Sequence, residues 1–253
     1  MRPAGFKKVN ALARGFEMLE LLARKDGPLG ISEIAGQLSM HKGTVFNMVH
    51  TLCELDVLEN SRGKFKFGPK LYMLGKAAEK GSNLIRAVHP HLESISRRTK
   101  LSALLAMRSG LRAVILDKAD PRLNFKISTD IGVEIPLLAG ALGKALLSQL
   151  ADEEVDDLLS RVALRKFTPH SCICKTEYKQ MIRQARAEGV AWDKEEYIEG
   201  IRTLAAPLET GGRGPQTAVW VMGVNDALKD SELESYTRLL KETAEEIKQQ
   251  FST

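Results

Sequence analysis

Along the first hundred positions, apolar residues recur at helical spacing, pass through a short stretch of period two, and return to helical spacing. Leu12, Phe16, Leu19 and Leu22, with Met18 beside them, predict a first helix that turns these side chains inward and ends near Asp26-Gly27-Pro28. Ser32 stands where it would cap a short second helix with Ile34, Ala35 and Leu38 buried, Ala35 being small where two helices cross. After a polar turn around Ser39, Val45, Met48, Val49, Leu52 and Leu55 form the inward stripe of a third helix. Its outward face is then Lys42, Gly43, Thr44, Phe46, Asn47 and His50. Val57-Leu58-Glu59, a turn over Asn60-Ser61-Arg62-Gly63 and the alternating Lys64-Phe65-Lys66-Phe67 predict a hairpin. In it Phe65 and Phe67 face the helices while Lys64 and Lys66 point away.

From Pro69 to Lys80 and from Asn83 to Lys100 the pattern is helical, with a break near Gly81-Ser82 and apolar positions at Leu71, Leu74, Leu84, Val88 and Leu92. Pro90 is expected close to the start of the renewed helix, where proline is tolerated. The later half of this stretch fits a core helix of the next domain as well as a linker. Beyond it, strand-like runs over Ser102 to Met107 and Ala113 to Lys118 flank a Ser109-Gly110 hairpin signal, and Gly211 to Pro215 joins Thr203–Leu208 to Thr217–Met222. Pro136 precedes a helix over Ala139 to Leu150 whose free N-terminal amides could meet an anionic ligand group. Helical patterns also cover Glu177 to Glu188 and Ser231 to Phe251. The expected fold class is α+β: a winged helix-turn-helix over residues 1–68, a helical linker over 69–100, and an α/β domain over 101–253.

The distribution of charge sharpens this. The chain of 253 residues has a net charge of +5, but residues 1–100 carry +8 and residues 101–253 carry −3. Within 62–100 there are ten basic side chains and two acidic ones, a stripe suited to phosphates, though a solvated basic helix has the same composition. Two short helices joined by a tight turn, the second polar along its outer N-terminal half, place side chains in a DNA major groove. Lys42, Gly43, Thr44, Phe46 and Asn47 are the candidate contacts to the bases, and Lys64 and Lys66 the candidate phosphate anchors. A three-helix unit with a hairpin also serves as a protein-docking module, so that alternative stands at this level.

Other chemistry is thin. No apolar run approaches the roughly 18 residues that span a bilayer, and Met1 to Asn10 is polar, so no membrane partner and a cytoplasmic location are expected. Cys53, Cys172 and Cys174 are an odd number without framework spacing and should be reduced thiols. His170 beside Cys172 and Cys174 lacks the second distant pair of a zinc site, and no metal or cofactor is expected.

Several separated segments together resemble the IclR family of transcriptional regulators: Ala11-Leu12-Ala13-Arg14-Gly15-Phe16, Ile31-Ser32-Glu33-Ile34-Ala35, Lys42-Gly43-Thr44-Val45-Phe46, Phe67-Gly68-Pro69-Lys70-Leu71, Gly143-Lys144-Ala145-Leu146-Leu147, Asp193-Lys194-Glu195-Glu196, and Gly200 to Pro207. The resemblance covers nearly the whole chain. It implies a winged N-terminal domain, a linking helix and a GAF-like effector-binding domain, in a homodimer or homotetramer assembled through the first parts. It also implies an effector pocket at Ile135, Ala141, Leu142, Asp193, Ile201, Thr203, Trp220 and Met222. Some relatives carry cysteine at position 203 and serine at 220 and 222, which makes this pocket more apolar and favours a bulkier or aromatic metabolite over a small carboxylate held by hydroxyls, the expected effector being an aromatic or carboxylate metabolite. Trp220 filling the space as ordinary core is the competing reading. The implied function is a ligand-responsive DNA-binding regulator, repressor or activator of a catabolic operon. The alternative is a GAF-like redox or hydrolytic enzyme with a nucleic-acid-binding appendage.

Overall fold

The computed structural model describes residues 7–25, 27–81, 83–123, 126–210 and 215–251. The chain divides into two compact units, residues 1–81 and 82–253.

The first unit contains α1 (Asn10–Ala23), β1 (Leu29–Gly30), α2 (Ile31–Leu38), α3 (Lys42–Glu54), β2 (Leu58–Ser61), β3 (Lys64–Phe67) and α4 (Pro69–Gly81). Its core is Met18, Leu21 and Leu22 of α1, Ile34 and Ala35 of α2, Val45 and Val49 of α3, and Leu29, Leu58 and Phe65 of the small sheet. The α1 stripe is rotated from its expected position: Leu12 and Phe16 are exposed and Leu21 is buried instead. Leu55, the residue after α3, and Phe67, the last residue of β3 and the partner of Leu58, were also expected inward and are exposed.

Ser32 does not cap α2. It lies inside the helix, and the Gly30 N–H donates to Glu33 Oε2 at 2.7 Å, so the exposed amide is met by a side chain from within the first turn. β1, too short for a periodic signal, pairs with β3, giving a sheet of order β1-β3-β2. The β2–β3 turn has Arg62 and Gly63 both at positive φ, the geometry a two-residue hairpin needs, and Asn60 Oδ1 accepts the Gly63 N–H at 2.9 Å. Gly68 closes the wing where a Cβ would strike the Asp56 carbonyl.

The second unit contains α5 (Asn83–Thr99), β4 (Ser102–Ser109), β5 (Arg112–Ala119), β6 (Glu134–Pro136), α6 (Gly140–Leu147), α7 (Asp152–Arg161), α8 (Lys175–Glu188), β7 (Ala191–Lys194), β8 (Ile201–Leu208), β9 (Thr217–Val224) and α9 (Leu233–Phe251). The strands form one antiparallel sheet of order β6-β5-β4-β9-β8-β7. Alternation along the strands sorts the core into two layers. Leu104, Ala106, Ile115, Ala205, Trp220 and Met222 meet α6, α7 and α8 on one face. Ala103, Leu105, Leu204, Val219 and Val221 meet α5 and α9 on the other.

The β4–β5 and β8–β9 hairpins form as the patterns predict, although residues 211–214 of the second turn lie outside the described residues. α7 and the short strands β6 and β7 were not expected. The helical break expected near Gly81-Ser82 falls where α4 ends and α5 resumes at Asn83, Ser82 lying outside the described residues. Pro90 is the eighth residue of α5 rather than near its start. It is tolerated because the position is exposed, so the backbone hydrogen bond it forfeits is on the solvent side. Val88, Leu92 and Ile95 are fully buried, which makes α5 a core helix of this unit.

Candidate functional site

The N-terminal half of α3 presents Lys42, Gly43, Thr44, Phe46 and Asn47, all exposed, while Val45 and Val49 anchor the opposite side in the core. No acidic residue lies in its first turn, and Glu54 at its far end is its only carboxylate. Phe46 stands against His50, ring centroids 4.3 Å apart, and His50 meets the edge of the buried Phe65. Phe46 thus projects from a supported base rather than folding into the core. A helix with a cationic, acid-free outer end and an apolar projecting ring matches what a groove demands: donors for base edges and a surface for thymine methyls.

In the wing, Lys64 and Lys66 are both exposed, as period two requires. They are not equivalent. Lys66 faces Glu59 across the hairpin, Nζ to Oε2 at 3.0 Å, so part of its charge is already balanced.

The eight expected effector positions converge on the α6 face of the large sheet. Thr203 pairs with Met222 and with Asp193, Ala205 pairs with Trp220, and Ile201 begins β8 on the same side. Ile135 of β6 and Ala141 and Leu142 of α6 share this core. Asp193 is its main polar feature. The Glu196 N–H donates to Oδ1 at 2.6 Å and the Thr203 hydroxyl to Oδ2 at 3.3 Å. Burial dominates nonetheless and, with the nearby Glu196 charge, raises the carboxyl pKa to about 6. Among the described residues, Trp220 Nε1 and the Tyr178 hydroxyl in this layer have no hydrogen-bond partner. Burial pushes the Tyr178 phenol well above its ordinary value, so it stays a neutral donor.

The start of α6, where an anionic ligand group was expected, borders the protein's own Asp193. Gly140 has φ +63, and the Asp193 carboxylate lies against it where a Cβ would sit.

The segments Gly143 to Leu147 and Asp193 to Glu196 are joined in space by a buried ion pair, Lys144 Nζ to Glu196 Oε1 at 2.6 Å. Glu195 adopts φ +65, and its carboxylate accepts the Gly200 N–H at 2.8 Å and Asn225 Nδ2 at 2.6 Å, closing the loop before β8. Hydrogen bonds hold its pKa below the ordinary value. Sequence reasoning did not pair these residues, because only their separate motifs are visible along the chain. Nor did it single out Tyr178. Cys172 Sγ points to the Cys174 carbonyl at 3.5 Å, and burial raises rather than lowers the Cys172 pKa, the reverse of an activated thiol.

Comparison with known proteins decides the family. The model of the bacterial transcriptional regulator IclR C-terminal domain matches residues 76–249, and that of the IclR helix-turn-helix domain matches residues 11–62. The chain belongs to the IclR family. It is 27% identical over 244 residues to the transcriptional repressor IclR of Escherichia coli K12, covering 95% of this chain and 89% of that one. It superposes on an IclR-type regulator from Alicyclobacillus acidocaldarius with TM-score 0.86 at 22% identity, covering 96% and 99% of the two chains. It also superposes on an IclR homologue from Microbacterium hydrocarbonoxydans complexed with 4-hydroxybenzoate, with TM-score 0.81 at 19% identity and 96% and 99% coverage.

Membership in the IclR family makes the protein a DNA-binding transcriptional regulator with a small-molecule effector domain, and removes the enzyme alternative. Among the described residues no helix is long and apolar enough to cross a membrane.

Proposed function

We propose that this IclR-family regulator reads operator DNA through α3 and is gated by a small aromatic or carboxylate metabolite in the second unit. The exposed, acid-free end of α3 carries the first part. Lys42, Thr44 and Asn47 supply hydrogen bonds to bases, Asn47 being able to pair bidentately with adenine, and Phe46 and Gly43 shape the approach. Lys64 and Lys66 of the wing add affinity through phosphates without reading sequence.

The effector assignment rests on the convergence of Ile135, Ala141, Leu142, Asp193, Ile201, Thr203, Trp220 and Met222 at one sheet face, with Trp220 Nε1 and the Tyr178 hydroxyl as donors awaiting acceptors. Because Asp193 already supplies negative charge there, an aromatic hydroxy compound suits the site better than a carboxylate bound at the start of α6. The Microbacterium hydrocarbonoxydans homologue, complexed with 4-hydroxybenzoate, offers a precedent within the fold.

Val9, Leu12 and Phe16 near α1, and Tyr72, Met73 and Leu74 of α4, are large apolar side chains left exposed in the first unit. They support assembly as a homodimer through this unit, with half-sites about 34 Å or a multiple apart. Ligand binding then shifts the population between arrangements of the DNA-binding units, with leverage equal to its differential affinity.

The test is a thermal-shift screen of aromatic and small carboxylate metabolites followed by DNA titration with the hits. A ligand at a hundred times its dissociation constant should stabilise the protein by about 2.7 kcal/mol. It should also change affinity for the operator. DNA affinity that does not depend on salt would sink the reading of α3 and the wing.

A further inference from the structure

Beside α5, away from the residues assigned to the effector, lies a cavity of about 630 Å³. Its walls are the last turns of α5, the end of β5 and residues 120–123, and its charged groups are predominantly basic. We propose that this cavity is a second ligand site, for a small polyanion bearing phosphate or several carboxylate groups.

The charge balance carries the argument. Asp120 is occupied: it accepts hydrogen bonds from Ser102 at 2.9 Å and Ser128 at 2.6 Å, and pairs with Lys126 at 3.1 Å and Lys118 at 3.5 Å. Lys118 is spent on Asp120 and on Asp130 at 2.8 Å. His89 bonds Asp117 at 2.8 Å and stands 3.8 Å from Glu93. Arg97, Lys100 and Arg122 remain, and among the described residues none of these three has an ion-pair partner. Arg97 is in the last turn of α5, where a cation also answers the helix dipole, but Lys100 lies beyond the helix and Arg122 on a separate segment. Helix capping therefore does not account for the three together.

Ser96 is part of the wall but only 3% exposed, and its hydroxyl, which has no hydrogen-bond partner among the described residues, is closed to the cavity. Lys100 adopts φ +60 as the residue that closes α5, its N–H donating to the Ser96 carbonyl at 2.9 Å. A volume of this size is in the range of metabolite sites, and the polarity of the walls selects a charged occupant. Arg97 and Arg122 offer forked donors suited to phosphate or carboxylate oxygens, and Lys100 a point charge between segments.

The site has a route to the rest of the domain. Pro121 and Leu123 line this cavity and also a recess of about 70 Å³ that includes Met222. A polyanion here would press on a wall shared with one assigned effector residue, so a second input to the same regulator follows. That consequence rests on the effector assignment, whereas the site itself does not.

The experiment is calorimetric titration of the full chain with pyrophosphate and, separately, citrate, in chloride buffers of matched ionic strength. Saturable binding of one probe per chain is expected, and the stronger of the two distinguishes phosphate from carboxylate recognition. Arg97→Ala and Arg122→Ala should each weaken it about tenfold or more. Lys100→Gly should weaken it as well while leaving the melting temperature unchanged or higher, because glycine relieves the left-handed backbone. Trp220→Phe should leave it unchanged. The proposal is overturned if neither probe binds saturably, or if binding is indifferent to Arg97, Lys100 and Arg122. It is equally overturned if these substitutions weaken duplex DNA binding alone, which would assign the cluster to the DNA backbone.

Discussion

The Asp193 carboxylate lies against Gly140, whose φ of +63 begins α6, and a Cβ at that glycine would collide with Asp193 Oδ2. The two positions are 53 residues apart and define one another. Gly140→Ala should therefore both strain the backbone and displace the acid. A destabilisation of about 2 kcal/mol or more in urea unfolding is expected.

Asp193 should also make stability depend on pH. Its folded pKa of about 6 lies above the ordinary 3.8, so between these the native state holds a proton that the unfolded chain has released. The favourable contribution is complete below about pH 3.8 and is lost as pH rises through 6. Relative to Asp193→Asn, the wild-type protein should lose up to about 3 kcal/mol across that window. Parallel unfolding curves of the two proteins from pH 4 to 8 check this. A constant difference would mean that Asp193 titrates normally.

The wing lysines should differ in their contribution to DNA binding. Lys64→Ala should flatten the slope of log affinity against log salt by about one unit. Lys66→Ala should change it less, since Glu59 already balances Lys66. Conversely, Glu59→Gln should tighten DNA binding several-fold at low salt by freeing that charge. Fluorescence anisotropy on a duplex at several salt concentrations resolves all three.

Gly43 faces open space in α3, with nothing within 4 Å of where a Cβ would sit. Gly43→Ala should stabilise the first unit by up to about 1 kcal/mol through helix propensity. Measured beside DNA affinity, this variant tells whether close backbone approach to DNA needs the glycine. A loss of affinity together with a gain in stability would place it in contact.

Trp220 is buried with its indole N–H unpaired. Trp220→Ala should cost about 3–5 kcal/mol by opening a cavity, whereas Trp220→Phe also removes the orphan donor and should cost less. If Nε1 meets the effector, Trp220→Phe should retain the fold but lose most of the ligand-induced rise in melting temperature. An undiminished rise would leave Trp220 as core only.

Much of this fold was legible because it depends on short-range regularities. Val45 and Val49 had to turn inward once α3 formed, which left Lys42, Thr44 and Asn47 outward, and alternation in Lys64–Phe67 buried Phe65. Leu12 and Phe16 show where the pattern misleads. Hydrophobicity marks a residue as coverable, but whether it is covered depends on what packs there, and the first unit leaves both exposed. Pro90 and Ser32 were misplaced for a related reason, since propensity ranks local choices without knowing which side of a helix meets solvent.

By itself the sequence determined the α+β class, the winged helix-turn-helix and the hairpins, properties of local order and periodic burial, while its separated motifs carried the resemblance to the family. Only tertiary structure decided that Asp193 lies against Gly140 at the start of α6, that Lys144 meets Glu196, and that Arg97, Lys100 and Arg122, without ion-pair partners among the described residues, line one cavity. Those facts depend on distances between residues far apart in the chain. Desolvation, charge compensation and steric exclusion act over a few ångströms of space whatever the separation along the chain.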